Sequence, residues 1–406
     1  MGALVIFLAC GLAPMGVTVL VPEREHAGEL FWKNGMLGRP GVFTPAVEAF
    51  YRRGLLKKVV GGGQRPAHFE NTDKFQFGRH LAGMMLNANQ IDFSRWKHRL
   101  AGPSFMSGAT TLGKLEAVLS ERAESLNVQI LRAGDRVFMA QWLVGCDGGR
   151  STVRKSAGFE FIGTEAEFTD TLPYRSKQAT EYRRGRVLLA GDSVHIHSPL
   201  GAQGLNTGIG DAIKLGWKLA TVIKGDAPAG LLDTYHEERH PEAAKVLEWT
   251  RAQVVTLSPE RSACALASIV NDLIQTDEGA TYFADRIWGL SQRYDFGGAH
   301  PLVGCSAPAF QFADAERLGS RLEDACFAVI DFAHDSSVAR CVESLRPMGK
   351  YCGSHAYETF GLKTLLVRSD GVVAWASEDN FDPEPMKMSL SQWLTLPVTV
   401  AGTVEG

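Results

Sequence analysis

Chemistry in this 406-residue chain concentrates in Arg186–Asn206, RVLLAGDSVHIHSPLGAQGLN. A short apolar strand ends in Gly191-Asp192, and a loop rich in glycine and proline then opens a helix. Glycines let the backbone approach a flat ligand, and N–H groups at the helix start stabilise negative charge. Asp192, at the strand's end, is placed to accept hydrogen bonds from a sugar or ribityl hydroxyl. A Gly-Asp turn after a strand is common by itself. The full pattern is far more specific: Pro199, Gly201, Gln203, Gly204, Leu205, Asn206, Asp211 and Trp217-Lys218-Leu219-Ala220.

A second segment, GCDGGRSTVRKSAG at Gly145–Gly158, reads as strand, turn and helix, with Asp147 and Arg154 near its ends. A third acid, Glu23, follows the β-branched run Val17–Val21 and is followed by Arg24. Together these segments resemble the FAD-dependent aromatic hydroxylases, the class A flavoprotein monooxygenases. The likeness is strongest from Leu100 to Ala220. It implies FAD as cofactor, NAD(P)H as reductant, O2 as co-substrate and a phenolic or polyketide-like aromatic substrate. It also implies a cofactor-binding set of Glu23, Arg24, Arg39, Asp147, Gly191, Asp192, Pro199, Gly201, Gln203, Gly204, Leu205 and Asn206. The cofactor carries the chemistry in such enzymes and the protein supplies positioning and electrostatics. No residue stands out as a base for a phenol. A family member that shapes a cyclisation or rearrangement without redox chemistry, or a non-catalytic scaffold, is the alternative.

Three departures from that family matter. Its glycine fingerprint for the FAD pyrophosphate is missing, because Phe7–Gly16 reads FLACGLAPMG. Leu4–Leu8 and Val17–Val21 read as two strands, and eight residues between them fall short of the roughly 10–12 a crossover helix needs. Pro45 stands where the family carries a flavin-contacting arginine, with Arg39 matching an earlier one, and no glutamine precedes the helix that follows Thr110-Thr111-Leu112. The substrate sheet is shortened: Lys155–Gly185 has room for about three strands at most. Phe168–Thr180 lacks the alternation of a half-buried strand.

The elements that must position these residues give an α/β chain with a Rossmann-like FAD-binding domain over 1–298. Reduced substrate-domain segments fall at about 62–110 and 155–185. Helices are expected at Pro45–Val60, Leu112–Leu126, about Thr207–Ile223 and through much of Leu231–Arg293. Strands are expected at Gln141–Val144 and Arg186–Ala190. Glycine and proline cluster at Gly297–Pro308, and residues 299–406 resemble the thioredoxin-like domain of polyketide-tailoring hydroxylases. That domain should hold strands at Phe327–Phe332, Thr364–Val367 and, after an Asp370-Gly371 turn, Val372–Ala376. It has no CxxC, which favours a packing or dimer role.

Composition agrees: 45% hydrophobic and 21% charged residues suit a globular enzyme, and a net charge of -3 argues against nucleic acid. Seven scattered cysteines point to a reducing cytoplasm. The uncharged run Met1–Pro22 is broken by Gly11, Pro14 and Gly16 and reads as buried strands, not a membrane segment. His195 and His197 read as loop histidines near a flavin, and His236 with His240 as an unconvincing metal pair.

Overall fold

The computed structural model describes residues 2–23, 31–35, 40–61, 73–100, 102, 108–132, 137–165, 175–345 and 349–396. The chain opens with helix α1 (Gly2–Leu12), where the sequence suggested a strand at Leu4–Leu8. Nine of its eleven residues are buried, so it is apolar all round and shows no amphipathic stripe. Strand β1 (Leu20–Glu23) follows, three residues later than expected. Helix α1 therefore leads into β1, and no crossover has to fit between two strands there.

Short elements come next: α2 (Phe31–Asn34), β2 (Gly41–Val42), α3 (Thr44–Tyr51) and α4 (Leu56–Val60). The helix expected over Pro45–Val60 is thus two, broken at Arg52–Leu55 and stopped at Gly61, whose φ of 77° suits only glycine. A hairpin of β3 (Phe77–Leu81) and β4 (Met84–Asn87) precedes β5 (Gly108–Ala109), which pairs with β2. Helix α5 (Leu112–Ser125) starts on a Thr111 cap and buries Leu115, Leu119 and Ala123. Strand β6 (Gln129–Arg132) then runs parallel to β1.

The second parallel piece comprises β7 (Leu143–Gly145), then α6 (Thr152–Ser156), and a strand that pairs back onto β7. Between them lie β8 (Phe161–Thr164), β9 (Ser176–Ala179) and the two-residue β10 (Arg183–Arg184). The returning strand is β11 (Val187–Leu189), parallel to β7 and antiparallel to β10. Strand β12 (His195–Ile196) adds to β9, making a β12-β9-β8 sheet. Among the described residues of Lys155–Gly185 there are three short strands, within the number its length allowed. Ser176–Ala179 is one of them, a strand within Phe168–Thr180 that lacks the half-buried alternation, as the sequence suggested; 166–174 lie outside the described residues.

Helix α7 (Gln203–Lys224) packs on α1, with Gly208 and Gly216 facing Leu4 and Leu8. Helices α8 (Asp233–Thr256), α9 (Arg261–Ile274) and α10 (Asp277–Trp288) complete the first half. The remainder is β13 (Phe327–Asp331), α11 (Ser336–Glu343), β14 (Gly349–Gly353), β15 (Thr364–Val367), β16 (Val373–Ser377) and α12 (Pro383–Ser391). Its sheet order is β14-β13-β15-β16, with β13 and β14 parallel and the other neighbours antiparallel. That is a thioredoxin-like arrangement. The sequence missed α11, β14 and α12.

Candidate functional site

The loop from β11 to α7 is built around one buried carboxylate. Asp211 Oδ2 accepts from the Gly191 N–H at 3.0 Å and meets His195 Nε2 at 2.7 Å. Its Oδ1 accepts from Arg239 Nε at 2.8 Å. Arg239 also donates to Tyr294 Oη at 3.1 Å and to the Thr207 carbonyl at 3.1 Å. Burial alone would raise the Asp211 pKa, but His195 and Arg239 outweigh it and hold the carboxyl below its ordinary value. Both ends of the Gly-Asp loop are therefore pinned to α7 through Asp211. Gly191 itself has φ 65° and lies against Leu4 of α1, where a Cβ would come within 2.2 Å of Leu4 Cδ2.

Asp192 is arranged differently. Its carboxylate makes no hydrogen bond with any described residue, and burial raises its pKa while His195 opposes the rise. An acid held half-buried without a donor is suited to hydroxyls brought by a ligand. Next along the chain, Gly201 (φ 74°) and Ala202 (φ 54°) both adopt the left-handed conformation and turn the loop into α7. No side chain caps α7, so the first N–H groups, at Gln203, Gly204 and Leu205, have no protein acceptor within the helix. Pro199 ends the preceding loop, and its carbonyl accepts from the Ala202 N–H at 3.1 Å. Asn206 faces inward: its Oδ1 accepts from Phe43 N–H at 2.7 Å, and its Nδ2 donates to the carbonyls of Gly41 and Ala202. It clamps β2 and the start of α3 to the helix. His197, pushed down to about 4 by burial, is neutral, with Nδ1 2.7 Å from the Ser198 carbonyl.

The Asp-Gly segment supports this loop from behind. Asp147 caps α6, accepting from the N–H groups of Thr152 (2.6 Å) and Val153 (3.1 Å) and from the Ser151 hydroxyl. Arg154 donates to the Ser193 carbonyl at 2.7 Å and to the Gly149 carbonyl at 2.9 Å, with its guanidinium 3.7 Å from the Phe161 ring centre. It ties the Asp-Gly turn to the Gly-Asp turn. Glu23, at the end of β1, brings its carboxylate beside Gly2 at the start of α1, as does Glu116. Two acids thus sit where the helix dipole favours negative charge. Arg24 and Arg39 lie outside the described residues, and Pro45 sits in the first turn of α3.

The structure therefore gathers Gly191, Asp192, Pro199, Gly201, Gln203, Gly204, Leu205 and Asn206 into one loop and helix start, with Asp147 behind it. The unpartnered Asp192 carboxylate and uncapped α7 amides fit the ribityl and ring side of a flavin. Among the described residues no three His, Cys, Asp or Glu side chains gather to hold a metal. His236 and His240 pack ring to ring at 4.8 Å and against Tyr182. All seven cysteines are free thiols. No described helix is long and apolar enough to cross a membrane.

Sequence reasoning missed a second buried cluster that joins the two halves. Arg368, after β15, donates to both oxygens of Glu238 on α8 at 2.8 and 3.0 Å and pairs with Asp370. Lys214 Nζ meets Asp370 at 2.7 Å, and Lys218 Nζ meets Glu238 at 2.6 Å. Its one sequence signal is the i, i+4 lysine pair on the otherwise apolar buried helix DAIKLGWKLA.

Comparison with known proteins identifies the family. The FAD binding domain profile matches residues 107–171 and 164–250, two pieces that meet within the shortened substrate region. The "aromatic-ring hydroxylase, C-terminal" profile matches 300–397. A monooxygenase of Claviceps purpurea (strain 20.1) is 40% identical over 489 aligned positions, covering 98% of this chain and 96% of that protein. An uncharacterized aromatic compound monooxygenase, YhjG of Bacillus subtilis (strain 168), is 33% identical, with 86% and 89% covered. The solved anhydrotetracycline hydroxylase OxyS from Streptomyces rimosus superposes with a TM-score of 0.83 at 26% identity, covering 98% of each chain. The chain belongs to the FAD-dependent aromatic-ring hydroxylase family of monooxygenases.

Proposed function

We propose that the chain hydroxylates a phenolic or polyketide-like aromatic compound, using FAD, NAD(P)H and O2. Bound FAD would supply the redox chemistry, passing electrons from NAD(P)H to O2 so that one oxygen atom enters the ring and the other leaves as water. The chain's own residues bind and orient. Asp192 accepts from ribityl hydroxyls, and Glu23, at the end of β1, would accept from ribose hydroxyls. The N–H groups of Gln203, Gly204 and Leu205 stabilise negative charge on the ring side. Asp211, through Gly191 and His195, keeps that loop in register. Free thiols suit a reducing cytoplasm, and a homodimer is the assembly we favour.

The Asp192 carboxylate, half-buried and without a donor among the described residues, carries this reading. Its test is a titration of the purified full chain with FAD, followed by flavin fluorescence. Asp192→Ala should weaken FAD binding by roughly ten- to a hundredfold, the worth of hydrogen bonds to a charged group. The melting temperature should not fall, because no hydrogen bond to a described residue is lost and a carboxylate whose pKa burial raises costs stability at neutral pH. If wild-type protein takes up no FAD, the monooxygenase reading fails for this chain. Oxygen-independent conversion of an aromatic precursor would favour the non-redox alternative.

A further inference from the structure

Helix α9 carries an apolar stripe that nothing in the described chain covers. Its buried side is Ala263 and Ile274, with Val270 packed against the neighbouring core. About a quarter-turn round, Leu266, Ile269 and Leu273 are 45%, 59% and 52% exposed. Their i, i+3, i+7 spacing makes a continuous ridge. Apolar groups extend it at both ends. Met85 is exposed, and its carbonyl accepts from the Gln275 side chain just past the helix; Val255 and Leu257 are exposed shortly before it.

Two charges border the ridge. Arg261 opens the helix and Asp272 lies eleven residues on, so at 3.6 residues per turn they share a face, about 20° apart and about 16 Å along the axis. Neither makes an ion pair or side-chain hydrogen bond with any described residue. Two copies of α9 laid antiparallel about a two-fold axis near Ala267 would pack ridge on ridge. Arg261 of each copy would then face Asp272 of the partner subunit, and both charge pairs would close at once. A two-fold interface must be self-complementary in this way. From this we propose that the chain forms a homodimer through α9. Lasting interfaces bury upwards of roughly 1,200 Å² in total, so the flanking Met85 and Leu257 belong to the contact as well.

The test needs no cofactor, so its outcome is independent of the flavin reading. Sedimentation equilibrium of the full chain should give a dimer. Arg261→Asp and Asp272→Arg, each setting like charges opposite one another twice, should each weaken dimerisation about tenfold or more. The double variant R261D/D272R should restore it, because exchanging both signs keeps the pairs. Ile269→Glu should give monomers with an unchanged circular dichroism spectrum, since the side chain is exposed. A wild-type monomer at about 100 µM, far above the dissociation constant of a lasting dimer, overturns the proposal. So does a dimer indifferent to all these variants, or a double variant no better than the singles.

Discussion

Two aspartates nineteen residues apart show how burial and partners divide labour within one loop. Asp211 is fully buried and takes three donors, one of them the backbone N–H of Gly191. Asp192 has none. Removing Asp211 strands Arg239 and His195 in the interior, whereas removing Asp192 strands nothing. Asp211→Ala should therefore cost about 3–5 kcal/mol of stability, the usual loss when one partner of a buried pair is deleted. It should also loosen FAD binding indirectly, through Gly191. Urea unfolding beside a FAD titration separates the two effects, and a stability loss under about 1 kcal/mol would mean the network is not what holds the loop.

At the scale of elements, the contact between α1 and the Gly-Asp loop decides how the cofactor end is shaped. An alanine at Gly191 would be strained by its positive φ and would drive its Cβ into Leu4. Gly191→Ala should cost about 2 kcal/mol or more, and combining it with Leu4→Ala should cost less than the two losses summed. Strict additivity by calorimetry would show that helix and loop do not press on each other. This same contact marks the limit of what the sequence revealed. Helix α5, strand β11 and strand β15 were legible because a stripe, a turn or a hairpin signal bounded them. Helix α1 was not, because a short run buried on every side has neither the period of a strand nor that of a surface helix. Strand β9 was hidden for a related reason: Ser176, Gln178 and Ala179 are all buried, so alternation fails. Gln178 is satisfied there by Tyr182 and the His240 carbonyl. The Gly-Asp loop was legible as one motif, whereas the cap that Asp147 makes on α6 and the tie that Arg154 makes between the two turns show only in the fold.

For the molecule as a whole, the thioredoxin-like half is joined to the FAD-binding half by buried charge, which a sequence displays only as scattered polar letters. Arg368 and Asp370 enter from one half; Lys214, Lys218 and Glu238 answer from the other. Burial favours a neutral Glu238, yet Arg368 and Lys218 prevail and hold its pKa at about 2, below the ordinary 4.5. The unfolded chain thus takes up that proton first, and the stability Glu238 contributes is complete above pH 4.5 and lost as pH falls towards 2. The lysines behave oppositely: burial lowers both to about 8 despite Asp370 and Glu238, so deprotonating them from pH 8 to 10 does not weaken the fold. Melting temperature should accordingly drop on the acid side and hold on the alkaline side. Since one charge cluster serves both halves, wild-type protein should melt in a single calorimetric transition. Arg368→Ala, which leaves Glu238 and Asp370 short of their main cation, should cost about 3–5 kcal/mol and split that transition in two. A variant that still melts as one unit, with its acid limb unmoved, would place the coupling of the two halves in apolar packing around Trp217, Phe327 and Trp393 instead.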